Sequence, residues 1–225
     1  MALAVNYHRW ILKRFTPFLG KRIVEVGGGT GSFSELLLET RPEILTVLEP
    51  SANMYPVLVR QLSGIEKGHL AQVRQCTLVQ AFAGSRAPQP DSILYVNVLE
   101  HIEDDKEELR TAHSVLAHRG RVLIFVPANP WLMGSLDRQL GHFRRYTMRE
   151  LSSKCRAAGF TVRHSSYFDL LGILPWWLKY CILKSDHLEP AAVRFYDRWV
   201  VPISSRLEGL AAPPLGKSIV LVGEK

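Results

Sequence analysis

The chain has 225 residues, of which 47% are hydrophobic and 22% charged, enough to bury a full core and too apolar to be disordered. Its net charge is +7, with eleven Lys/Arg against five Asp/Glu between Asp105 and His164. A basic surface can attract nucleic acid, anionic lipid or an acidic small substrate, but no block of five like charges and no RNA-binding motif supports nucleic acid. Cys76, Cys155 and Cys181 are far apart and no CxxC occurs, so all three read as small hydrophobes in a reducing compartment. MALAVNYHRWILKRF is too interrupted for a signal peptide. No run of about 18 apolar residues predicts a spanning helix. A cytoplasmic chain is expected.

In chain order, KRIVEV (21–26) reads as a strand ending in glycines, and SFSELLLET (32–40) as a helix with Phe33, Leu36 and Leu37 on one face. EILTVLEP (43–50) is a second strand. Residues 51–63 follow as a helix, with Pro56 poorly placed in its first turns. AQVRQCTLV (71–79) and the apolar DSILYVNVL (91–99) are the third and fourth strands. Residues 104–120 form a helix with Asp105 and Glu108 at capping-box spacing and Gly120 at the far end. RVLIFVPA (121–128) is a strand. Residues 147–160 are a helix boxed by Thr147 and Glu150, and 161–167 and 218–224 are the last strands. The alternation predicts an α/β fold: one Rossmann-like, seven-stranded, mostly parallel sheet with helices on both faces. Residues 168–214, with Trp176, Trp177 and Trp199, break the rhythm and read as a helical insertion or lid within a single domain spanning 1–225.

Residues 24–34, VEVGGGTGSFS, place four glycines and a carboxylate at the first strand–helix turn. Such a turn lets a ligand approach the backbone, and the helix behind it offers free N–H groups. The dinucleotide pattern GxGxxG is met by Gly27 and Gly29, but its third place holds Ser32. Acid-x-Gly-x-Gly-x-Gly is met in full by Glu25, Gly27, Gly29 and Gly31. A carboxylate there repels pyrophosphate and favours an ammonium. Glu49, closing the second strand, is placed to accept two ribose hydroxyls, as an NAD enzyme's acid also does.

The glycine spacing resembles motif I of the class I S-adenosylmethionine (SAM)-dependent methyltransferases. SILYVNVLEHIEDD (92–105) resembles the segment after the fourth strand in their small-molecule branch, the ubiquinone/menaquinone-biosynthesis type. PANPWLMGSLDRQLGHFRRYT (127–147) and NYHRW (6–10) extend the resemblance over nearly the whole chain. It implies that Glu25, Gly27, Gly28, Gly29, Gly31, Glu49 and Pro50 hold SAM. It adds Asn97 and Val98 as cofactor-lining residues, His101 at the reaction centre, and Tyr7 and Trp10 on an N-terminal helical cap (1–20). Many relatives carry an acid after the third strand for the adenine. Thr77 stands there instead, so Thr77, Leu78 or backbone is expected to meet it.

DRQLGHFRRY (137–146) follows the fifth strand, on the side where open parallel sheets bind ligands. His101, His142 and Asp137 are candidates for a general base, should the acceptor need one. Arg144 and Arg145 offer a fork for an anionic group, with Trp131 and Tyr146 as further acceptor contacts; a solvated basic loop is the plainer reading. LLGILPWWLKYCIL (170–183) reads as packing against the sheet, with a lid or a peripheral membrane contact as alternatives. His113 and His118 lack a third ligand, so no metal is expected. The reaction expected is methyl transfer to a small acceptor, bulky, aromatic or anionic, with oxygen favoured slightly over nitrogen or carbon. The alternatives are an NAD(P)-dependent oxidoreductase, a non-catalytic binding protein on this fold, and RNA methylation. The last is opposed by NVLE, where amino-methylating enzymes carry Asn/Asp-Pro-Pro-aromatic.

Overall fold

A computed structural model describes residues 4–65, 68–84 and 88–225; residues 1–3 of the expected N-terminal cap lie outside them. Seven strands form one sheet: β1 (Arg22–Val26), β2 (Ile44–Leu48), β3 (Ala71–Arg74), β4 (Ser92–Val96), β5 (Arg121–Pro127), β6 (Thr161–Phe168) and β7 (Ser218–Glu224). Their order is β3-β2-β1-β4-β5-β7-β6. Only β7 runs against the rest, pairing antiparallel with β5 and β6. The strand order reverses between β1 and β4, which puts a crevice at their carboxyl ends.

Alternation along the strands divides the core in two. Ile23, Leu45, Val47, Leu94, Leu123 and Phe125 point to one face, against α1 (Val5–Phe15), α2 (Ser32–Glu39) and α3 (Tyr55–Ser63). Val24, Leu48, Ile93, Tyr95, Val122 and Ile124 point to the other, against α4 (Leu78–Phe82), α5 (Asp105–Val115) and α7 (Met148–Ala157). The remaining helices are α6 (Ser135–Gln139), α8 (Ile173–Trp176), α9 (Pro190–Phe195) and α10 (Val201–Leu210).

Several local expectations shift. The third strand stops at Arg74, and Thr77 caps α4 by exchanging hydrogen bonds with Gln80. Its T-x-x-Q spacing is itself a capping signal, inside the stretch 71–79 expected as strand. Pro56 sits in the first turn of α3, where a missing N–H costs nothing. The cap of α5 is Asp104, which accepts the Glu107 N–H, and not Asp105. The helix ends at Val115, well before Gly120. Thr147 does cap α7, accepting the Glu150 N–H at 3.1 Å.

Candidate active site

After β1 the chain turns through Gly27–Gly31 into α2. Gly27 has φ +75°, and a Cβ there would lie 2.5 Å from Val98 Cγ2. Gly29 has φ +53°, but its missing Cβ faces open space. The turn is thus closed toward Val98 and open at Gly29. Gly28 packs on Val47 and Leu58. Glu49 is buried and accepts the Gly29 and Ser51 N–H groups at 2.7 and 2.9 Å, one on each oxygen. A carboxylate oxygen has two acceptor directions, so hydroxyls can still be received. Pro50, beside it, is exposed.

Glu25 is buried beneath this turn and takes the Ser34 hydroxyl. Burial pushes its carboxyl up to about 8, against the Ser34 hydrogen bond and with help from Glu49. A cation arriving alongside favours the ionised form.

On the β4 side, Asn97 holds a left-handed conformation (φ 53°) while its N–H donates to Phe125 O at 2.8 Å. Val98 closes on Gly27. Thr77 is committed to capping α4, and the Leu78 side chain lies in the core. Of the three contacts expected there, the Leu78 side chain faces the core, which leaves the Thr77 hydroxyl proton and the backbone. Tyr7 lines the cavity described next. Trp10 packs on Phe168 with ring centroids 3.8 Å apart and is not among the lining residues.

A cavity of ≈ 520 Å³ opens beyond Asn97, between the carboxyl ends of β4 and β5, the loop after β5 and the insertion. Asp137, fully buried, organises its floor. It accepts the Gly134 N–H at 2.8 Å and Arg145 Nε at 2.9 Å, and faces His142 Nδ1 at 2.8 Å. Burial alone would raise its carboxyl, but hydrogen bonds from His142 and Arg145 outweigh that and hold it below the usual range. With Nδ1–H donating to the Asp137 carboxylate, His142 Nε2 is left as an acceptor. His101 meets His142 edge-on at 4.5 Å between centroids. Burial, then the neighbouring His142, depresses the His101 basicity, so it is neutral near pH 7.

Glu100 completes the group. It is fully buried, neither carboxylate oxygen has a hydrogen-bond partner, and burial pushes it up to about 8. Glu100, His101 and His142 bring donor atoms within 4.8 Å of one another, a mixed N/O set of the kind divalent cations take.

Both arginines of the expected clamp are already engaged within the protein. Arg144 binds Asp105 at 2.8 Å and Glu103 O at 2.7 Å. Arg145 binds Asp137 and Ala128 O, and stacks on Trp176 at 4.6 Å. Tyr146 is buried, donating to Asp105 Oδ2 at 2.8 Å. Trp131 is exposed and away from the cavity. Only Arg145 of these four lines it.

The sequence reading missed the other wall. Trp176, Tyr180 and Tyr196 come from the insertion, and Lys217 immediately precedes β7. Lys217 binds Asp169 at 2.8 Å and lies over the Tyr7 ring at 4.9 Å. The PWW run at 175–177 marked one of these positions; nothing local marks Lys217. The expectation that 170–183 packs against the sheet is corrected too. Leu170, Leu171, Leu174, Leu178, Ile182 and Leu183 are exposed, while Trp176 and Tyr180 face the cavity.

Residues 4–165 match the model of a family described as a methyltransferase domain. The chain belongs to that family. Among curated relatives, the methyltransferase is 27% identical over 177 residues to the ubiquinone biosynthesis O-methyltransferase of Pseudomonas fluorescens (strain SBW25), covering 73% of this chain and 72% of that protein. Among solved structures it superposes on a SAM-dependent methyltransferase from Archaeoglobus fulgidus with a TM-score of 0.62 at 15% identity, over 95% and 91% of the two chains. A second, from Mesorhizobium loti, gives 0.61 at 15% identity, over 96% and 98%.

The chain is an S-adenosylmethionine-dependent methyltransferase. Its turn fits that cofactor. The open space at Gly29 would admit it, Glu49 would have acceptor directions left for ribose hydroxyls, and the buried Glu25 would suit an ammonium.

Proposed function

We propose that this methyltransferase methylates a hydroxyl on a bulky, neutral, largely aromatic small molecule, with His142 as general base. The observation that carries the reading is the Asp137–His142 contact of 2.8 Å in the wall of the cavity. Asp137 fixes the imidazole tautomer, leaving Nε2 to accept a proton from the acceptor hydroxyl. His101, neutral and adjacent, can orient that hydroxyl. When bound, SAM supplies an already activated methyl on a cationic sulfur. The protein's task is therefore to align the acceptor oxygen, exclude water and hold the released proton at His142. The names of the curated relatives support oxygen as the methylated atom.

The acceptor's charge is inferred from the walls. Lys217 is paired with Asp169, Arg145 with Asp137, and Lys179 with Glu189 at 3.1 Å. Each cation at the cavity already has its anion, so an anionic acceptor gains no free partner. Tyr7, Phe125, Trp176, Tyr180 and Tyr196 offer ring surfaces instead.

The test is methyl transfer from isotopically labelled SAM to phenols bearing apolar substituents, read by mass spectrometry. Wild type should methylate oxygen. His142→Gln should lower kcat by about 10²- to 10⁴-fold while S-adenosylhomocysteine still binds. Unchanged kcat in that variant removes the base, and transfer to nitrogen or carbon alone removes the hydroxyl.

A further inference from the structure

The second half of the insertion is built inside out. From Pro190 to Leu210 it runs as one helical rod: α9, a π turn over Tyr196–Val200, and α10. Its buried face holds Asp197, Val201, Ser204 and Glu208. Asp197 accepts the N–H groups of Asn6 and Tyr7 at 3.1 and 2.8 Å. Glu208 accepts those of Asp169 and Leu170 at 3.2 and 2.9 Å. The outward face carries Phe195, Trp199, Ile203 and Leu207 at a spacing of four, each more than half exposed. A surface helix normally turns its apolar stripe to the core. Here the apolar stripe faces out and the carboxylates face in.

The charges follow the same arrangement. Arg194, Arg198 and Arg206 are exposed, each preceding a residue of the apolar stripe. The rod's two acids, Asp197 and Glu208, are both buried and bonded. Every exposed charge on the rod is therefore positive. The preceding helical segment repeats the pattern, with Leu174, Leu178 and Ile182 exposed at a spacing of four. Among the described residues no helix is long and apolar enough to cross a membrane.

We propose that this face lies flat on the surface of an anionic lipid bilayer. The Phe195–Leu207 stripe enters the headgroup boundary and the arginines meet lipid phosphates. A second copy of the chain is the rival occupant. It is disfavoured because a two-fold contact would set one arginine row against the other, with no exposed acid on either rod to compensate.

The test is co-sedimentation of the full chain with vesicles of phosphatidylcholine alone, or mixed equally with phosphatidylglycerol. Wild type should bind the mixed vesicles, and high salt should weaken that binding. Arg198→Gln should weaken it about fivefold, and Leu207→Gln about tenfold. Val57→Gln, an exposed apolar site on α3, should change nothing. Melting temperatures check that each variant folds, and light scattering reports the oligomer. Absence of binding to mixed vesicles overturns the proposal, as does equal binding to phosphatidylcholine alone. So does wild-type binding by both rod variants. A dimer that Leu207→Gln breaks, without vesicle binding, gives the face to a second copy and also overturns it.

Discussion

Alanine at Gly29 and at Gly27 separates cofactor access from scaffold strain within a single turn. Both residues have positive φ, so a Cβ at either costs about 1–2 kcal/mol of folding stability. They differ in what the Cβ meets. At Gly27 it lies 2.5 Å from Val98 Cγ2, inside the packed junction of β1 and β4. Overpacking there adds about 1–3 kcal/mol, for a total near 2–5 kcal/mol. At Gly29 it meets no heavy atom within 4 Å, so only the conformational cost applies. On the cofactor placement inferred from the glycine turn, that methyl would occupy the cofactor's space, next to the N–H held by Glu49. Urea denaturation should show Gly27→Ala to be clearly the less stable variant. Calorimetric titration with S-adenosylhomocysteine should show Gly29→Ala weakened at least about tenfold, or about 1.4 kcal/mol. Wild-type affinity in Gly29→Ala would refute the assignment of that space to the cofactor. Equal stability of the two variants would refute the packing argument.

Other expectations follow from partners rather than space. Arg144→Ala should leave the acceptor KM unchanged and cost about 1–3 kcal/mol of stability, because its guanidinium serves Asp105 and Glu103 O; a raised KM at wild-type stability would restore the substrate clamp. Glu100 has a folded pKa of about 8 against an ordinary 4.5, so folding favours its protonated form. Its contribution is fully present below about 4.5 and is lost as pH rises through about 8. Glu100→Gln should therefore gain stability over wild type across that window, and a difference in melting temperature that stays flat from pH 5 to 8 would count against this. Asp197→Ala should cost about 1–2 kcal/mol by uncapping α1, with faster amide exchange at Asn6 and Tyr7; unchanged exchange there would mean the contact is idle.

The sheet was legible because buried parallel strands read as apolar runs between glycine and proline punctuation, and β7 was placed to the residue. The cofactor turn was legible because its signal is local: Glu25, Gly27, Gly29 and Gly31 fall on alternate residues of one short stretch, and Glu49 follows the next strand. Asp137, His142 and Arg145 were found for the same reason. Their roles were read less well. A sequence shows that Arg144 and Arg145 are cations near the site but not which anions they meet, and folding gave them Asp105 and Asp137. Lys217, Asp169 and Tyr196 were missed because they converge only in three dimensions. The insertion shows the limit of periodicity. A spacing of four identifies an apolar stripe at Phe195–Leu207, but the direction it faces is set by where Asp197 and Glu208 find their N–H donors.

The position of β7 bears on how the molecule is made. β5 and β6 flank β7 and share no ladder with each other. During synthesis their facing edges wait, with open backbone hydrogen-bonding groups, until residues 218–224 leave the ribosome. The glycine turn and the β1–β4 crevice can assemble far earlier, since they use no residue beyond Val98. Nascent chains released short of β7 would thus hold a nearly complete cofactor turn beside two unpaired edges. Such species are suited to bind SAM weakly and to aggregate strongly, so quality control should act on the last few residues translated into the sheet.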